Sequence, residues 1–265
     1  MRVIAITPSS SVLSEQLGAA EWQRLVKDAA TQWNRALEGC CSVRFSVAPA
    51  ADKRWATEDG VNLVVLRRDE WCHNERCGTR TTFPLGALGM TTSYPEGASG
   101  IAVREADVEL NGLRMEVIAD GAPGLQKRTP VLSAPSGTTV PLETVLVHEL
   151  GHVLGLKDAC NEGHRVSGRP ILGDCSSEQR ERVMFAPARI STPTSADLDE
   201  ARFLYPLPDA ASTDASGGLN VAWPWLGLAL TICAAIGFAL RTLNGGSRRK
   251  TAPRGATRST SAEIP

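Results

Sequence analysis

Two histidines four residues apart with a glutamate between them, His148-Glu149-Leu150-Gly151-His152, are residue types that can grip a metal ion and move a proton beside it. On an α-helix, positions four apart share a face. Both imidazoles then reach one ion, and Glu149, one step round, stands next to its open coordination position. Three residues further on, Gly155 can adopt the left-handed conformation that ends a helix and turns the chain back, which brings Asp158 to the ion as a third ligand. Glu162 and His164 lie close enough downstream to compete for that place. Two imidazoles and a carboxylate leave the fourth position of a tetrahedral zinc ion for water, whose pKa zinc lowers towards neutrality. The chemistry this predicts is hydrolysis of a carbonyl compound with Glu149 as general base.

Such a site needs a helix, and the flanks supply one. Pro141 suits a first helical turn, and Leu142, Val145, Leu146, Leu150, Val153 and Leu154 form an apolar face. The chain has only 4 histidines, and two of them fall in this one turn, which argues against an ordinary core segment. Upstream, Leu25, Ala29, Trp33 and Leu37 recur every four residues, with Trp22, Val26 and Ala30 alongside, and predict a long helix over 14–37. Alternation at Val43, Phe45 and Val47 predicts a strand, and 61–66 a more buried one. Downstream, 195–205 opens on a small polar residue followed by acids and carries Leu198, Ala201, Phe203 and Leu204, the pattern of a capped helix. The hydroxyl of Tyr205 at its end is expected to be structural rather than catalytic.

The full string over 148–158, H-E-x-x-H-x-x-G-x-x-D, resembles the long zinc-binding consensus of the metzincin clan of metallopeptidases, in the form with Asp as third ligand that snapalysin-like members carry. The resemblance to matrixin-like members covers about 14–207 and implies an α+β catalytic domain. Its expected parts are a twisted, mostly parallel sheet with long helices, the zinc helix at the cleft, and a small C-terminal subdomain. It also implies that Arg182-Val183-Met184-Phe185-Ala186-Pro187 is the turn that sets a methionine, Met184, beneath the zinc histidines, and that 195–205 is the final helix. Residues 88–94 and 101–110 resemble the two strands before the active helix, of which the first is the edge that pairs with extended substrate; Leu88, Gly89 and Met90 are the positions it implies. The tyrosine that astacin-like relatives place two residues past the methionine is Ala186 here, so that oxyanion donor is absent.

The net charge of −1 conceals an asymmetry: beyond Leu240 lie six basic residues (Arg241, Arg248, Arg249, Lys250, Arg254, Arg258) and one acid (Glu263), leaving 22 basic against 28 acidic side chains elsewhere. An acidic domain has no electrostatic footprint for nucleic acid. Residues 221–240 carry no charge and are long enough to cross a bilayer as a helix, with Trp223 and Trp225 at the front and the basic cluster behind. This predicts four parts: a peptidase domain 1–207, a flexible linker 208–218, a transmembrane helix 219–241 and a basic, disordered cytoplasmic tail 242–265. The catalytic domain would then face outward from the cell membrane. The apolar run of Met1–Thr7 is too short to be a leader, so export would need either a leader ahead of Met1 or the C-terminal helix itself, as in a tail-anchored protein, a course that the charge rule and the cysteines oppose. The apolar segment after Gly217-Gly218 with its basic end also resembles bacterial sorting tails that are removed after export.

Six of the seven cysteines fall in the outer domain, which suits disulfides. Cys160 with Cys175 and Cys72 with Cys77 are candidate pairs, with Cys40 and Cys41 left, and six cysteines allow fifteen connectivities. The expected protein is a membrane-anchored zinc endopeptidase with one Zn2+ and a protein or peptide substrate. A tethered binding or adhesion module with a purely structural zinc is the alternative, and Glu149 speaks against it, because a structural site has no use for a base.

Overall fold

Apolar side chains spaced three and four apart make α1, Ala19–Leu37, a one-sided helix: Trp22, Leu25, Val26, Ala29, Ala30, Trp33 and Leu37 are all buried. The computed structural model describes residues 1–11, 17–72, 77, 82–84, 86–96, 103–120, 127–134, 137–160, 175–186 and 188–208, and a short strand at 259–261. α1 begins later than the periodicity predicts. Leu17 and Gly18 precede the helix, and the rest of the expected extra turn, 14–16, lies outside the described residues.

The chain is mixed α/β with a mostly parallel sheet. Strands β1 (Arg2–Pro8), β2 (Val43–Val47), β3 (Asn62–Arg67), β4 (Gly89–Pro95) and β5 (Val103–Asn111) lie in the order β2-β1-β3-β5-β4. β1, β2, β3 and β5 run parallel, and β4 runs against β5. β1 is an element that the sequence pattern does not single out. Arg2–Pro8 forms a strand inside the sheet, with Ile4 and Ile6 on one buried face and partners on both sides. A second sheet, also unforeseen, is antiparallel: β6 (Met115–Asp120), β7 (Lys127–Ser133) and β8 (Thr139–Pro141).

β8 runs directly into α2, Leu142–Val153, which packs with α1 over the sheet. Trp33 of α1 donates its indole N–H to the carbonyl of Val147 at 2.7 Å, a buried bond that fixes the two helices in register. α2 also touches β4 and β5, so the helix carrying the histidines lies on the face of the sheet next to its last strands. Two further helices, α3 (Ser177–Arg180) and α4 (Ser195–Leu204), follow it.

β5 separates two chemistries by its pleat. Ala106, Val108 and Leu110 join the main core, while Glu105, Asp107 and Glu109 are buried on the other face. There they hold the segment before β3. Glu105 accepts the amides of Asp59 and Gly60, Asp107 accepts those of Thr57 and Leu63, and Glu109 pairs with buried Arg67, whose guanidinium lies 4.1 Å from the Trp55 ring centre. Burial raises the Asp107 pKa to about 8 against its two amide donors, with the neighbouring acids adding to the rise. Asp107→Ala removes the acceptor of two amides and is expected to cost about 2–4 kcal/mol. Urea unfolding checks this, and a loss below about 0.5 kcal/mol would mean that water replaces the carboxyl.

The six cysteines of the domain pair as Cys40–Cys41, Cys72–Cys77 and Cys160–Cys175, including both expected pairs. Among the described residues no helix is long and apolar enough to cross a membrane. The predicted span 219–241, the linker beyond Pro208 and most of the tail lie outside those residues. Within the tail, β9 (Ser259–Ser261) pairs antiparallel with β4 at Thr91–Ser93.

Candidate metal centre and its general base

The end of α2 builds the site. Gly155 has φ +93°, the left-handed value that a side chain would strain. Its amide donates to the His152 carbonyl at 2.9 Å, and the next amide, Leu156, donates to the Gly151 carbonyl at 3.0 Å. This pair of bonds closes the helix and reverses the chain. The turn then acts on the site in two ways: the Leu156 carbonyl meets His152 Nδ1 at 2.8 Å, and Asp158 swings back so that its Oδ1 lies 3.4 Å from Nε2 of both histidines.

His148 is held in the same manner from elsewhere. Its Nδ1 lies 2.8 Å from the carbonyl of Val183, one residue before Met184. A backbone carbonyl only accepts, so each Nδ1 carries a proton, and in the neutral imidazole it is Nε2 that has the lone pair for a metal. Those two Nε2 atoms and Asp158 Oδ1 are buried, make no hydrogen bond, and lie within 4.8 Å of one another. Unpaired buried polar atoms are costly unless something binds them. The donor set of two imidazoles and a carboxylate fits a zinc ion.

Met184 is fully buried beneath the helix, where a Cβ on Gly151 would collide with its Sδ and lie 3.0 Å from Trp33. Gly151, in the middle of the motif, is therefore required for close approach of the methionine turn. The turn itself is fastened by Asp197 of α4. Its buried carboxylate accepts from Arg182 Nε (2.9 Å), the Val183 amide (3.1 Å) and both the amide and hydroxyl of Thr194 (2.9 and 2.8 Å). Tyr205 donates its hydroxyl to the Leu154 carbonyl at 2.9 Å, satisfying the last turn of α2. That bond gives the tyrosine a structural use.

Glu149 is fully buried against β4. Burial raises its pKa, opposed by the two histidines and by a hydrogen bond from the Thr91 hydroxyl to Oε2, while Oε1 has no hydrogen bond. Of the predicted edge positions, Gly89 faces Glu149, Met90 packs on the other side with Trp71, Phe83 and Ala87, and Leu88 precedes the strand in the core. Sequence reasoning misses Thr91, the Val183 carbonyl and Asp197 as supports of the site. Asp197 is readable only as an acid in a first helical turn, and nothing in the pattern marks a backbone carbonyl. The rivals Glu162 and His164 lie outside the described residues. A second metal-compatible group, Glu70, Cys72 and Cys77, has its two sulfurs joined to each other.

The cluster of His148, His152 and Asp158 is expected to respond to pH in opposite ways with and without a metal. Burial disfavours a charged His152, but Asp158 outweighs it and raises the pKa to about 9; burial also opposes the Asp158 charge, but the two histidines lower its pKa to about 2. A raised histidine pKa adds stability that is complete below the ordinary 6.5 and lost as pH rises through about 9. The Asp158 contribution is present above 3.8 and lost as pH falls through about 2. The metal-free protein is therefore expected to lose Tm between about pH 6.5 and 8, while metal binding, which needs a neutral His152, grows stronger over that range. Calorimetry in zinc and in chelator checks this: the zinc-induced rise in Tm should widen with pH, and a gap that narrows counts against His152 as a ligand.

Comparison with protein-family models and with curated proteins finds no match to the chain.

Proposed function

We propose that the chain is a zinc-dependent endopeptidase of metzincin type, with His148, His152 and Asp158 as ligands and Glu149 as general base. The observation that carries the reading is the convergence of three buried, unbonded donor atoms beside a carboxylate with one free oxygen. Zinc at this position would supply Lewis-acid polarisation of water and of the scissile carbonyl. The protein's own groups do the rest. Glu149 Oε1 takes a proton from the attacking water and returns it to the leaving amine. The Val183 and Leu156 carbonyls keep both histidines in the tautomer that leaves Nε2 free. The edge of β4 directed away from β5 already takes an antiparallel strand, β9 at Thr91–Ser93, and an extended peptide bound by strand addition would occupy that edge in its place.

In the same reading 221–240 anchors the protein in the cell membrane with the catalytic domain outside. β9 gives this topology a direct test. The observed pairing of Ser259–Ser261 with β4 opposes the single-pass course, because the two can meet only when the tail and the domain lie on one side of a bilayer. Protease digestion of sealed vesicles distinguishes the cases: a tail and domain cleaved from the same side would exclude the single-pass course.

The activity is tested on the full chain by metal analysis and by cleavage of casein. One zinc per chain is expected, with cleavage that stops in chelator and returns with zinc. Failure to bind zinc, or cleavage that survives its removal, would overturn the proposal.

A further inference from the structure

The inward side chains of β4 are matched to Glu149. At Gly89 there is no room for a side chain, since a Cβ would collide with Oε1 and lie 2.8 Å from Cδ of the glutamate. Two residues along, on the same face of the strand, Thr91 Oγ1 lies 2.5 Å from Oε2 and 3.4 Å from the Glu149 backbone carbonyl. A hydroxyl has one proton to donate, and the nearer, charged acceptor takes it. Both residues are fixed by β4–β5 pairing, Gly89 opposite Leu110 and Thr91 opposite Val108. Thr91 is itself fully buried, so water cannot stand in for its hydroxyl.

We propose that Thr91 is a positioning residue for the general base. Its hydroxyl engages Oε2 and fixes the carboxylate plane, so that Oε1, which has no partner, is the oxygen that exchanges the proton; Gly89 leaves the space in which that oxygen sits. The inference rests on the endopeptidase reading for its catalytic part, though not for the contact itself. A carboxylate tethered at one oxygen is preorganised, whereas an untethered one must be fixed anew in each turnover. The edge strand then has two roles. The strand proposed to take the substrate's backbone also aims the base at it, so substrate and base share one rigid frame.

Two variants and two readouts test it. Thr91→Val keeps the branched shape and β propensity without the hydroxyl, and Thr91→Ser keeps the hydroxyl. With the full chain, zinc and casein-derived peptide, Thr91→Val is expected to lower kcat about 10- to 100-fold while KM stays within about twofold and zinc content stays at one per chain. Thr91→Ser should recover kcat to within about threefold of wild type. The second readout needs no activity. In the metal-free protein, Thr91→Val should lower Tm by about 3 °C in the wild-type background and leave it unchanged in a Glu149→Ala background, the signature of direct coupling. An equal Tm loss in both backgrounds, or an unchanged kcat in a valine variant of an active enzyme, would overturn the proposal. A wild type that binds no zinc or cleaves nothing would instead overturn the endopeptidase reading, with the thermal cycle still deciding the contact.

Discussion

Glu149→Gln is expected to abolish peptide cleavage, lowering kcat by about 10²–10⁴-fold, while the chain still binds one zinc ion. The variant isolates proton transfer because the amide is nearly isosteric with the carboxylate and its oxygen can still accept the Thr91 hydroxyl. It lacks a basic oxygen to take a proton from water. The candidate metal ligands are left intact, since neither His148 nor His152 draws its orientation from Glu149; each is set by a backbone carbonyl. The glutamate sits fully buried, where its charge is disfavoured by desolvation, so the uncharged amide should match or exceed the stability of wild type in the absence of metal. Metal analysis, steady-state cleavage of casein and thermal unfolding of both proteins check the three parts. Cleavage by the glutamine variant at the wild-type rate would remove Glu149 from the mechanism.

The candidate site is legible in the sequence because its candidate metal donors are local. His148, Glu149 and His152 lie on one helix, and Asp158 is brought in by a glycine turn whose geometry is also local, so periodicity and one left-handed residue suffice. The supports are not local. The carbonyl partner of His148 stands 35 residues away, Thr91 stands 58 residues from Glu149, and neither carries a pattern of its own. α1 and β2 are readable for the same reason as the motif, since they bury residues at a regular period. β1 escapes such a reading because its short run gives only two clear alternations, Ile4 and Ile6, and the strands it pairs with, β2 and β3, are remote in sequence. The acids of β5 are invisible as buried groups: alternating charge on a strand reads as a solvent face, and what covers it, the segment at 57–60 together with Arg67 and Trp55, comes from elsewhere in the chain.

Asp197→Ala is expected to damage stability and the metal site together, at about 3–5 kcal/mol of unfolding free energy and about 10- to 100-fold in zinc affinity. The stability loss follows from the donors left behind: the Val183 amide, the Thr194 amide and hydroxyl, and the guanidinium of Arg182 all point at this buried carboxylate. Arg182 keeps Glu200 at 2.9 Å, so its charge is not abandoned, and the largest share of the cost falls on the backbone amides. The effect on metal arises because Val183 offers its amide to Asp197 and its carbonyl to His148. Releasing one end of that residue loosens the other, and His148 then loses the fixed tautomer that keeps Nε2 free. Met184 is the next residue, packed where Gly151 leaves room, so the same displacement would reach the helix from below. Urea unfolding of the metal-free protein separates the first effect, and zinc titration against a competing chelator the second. If zinc affinity is unchanged while stability falls, the turn does not transmit orientation to His148.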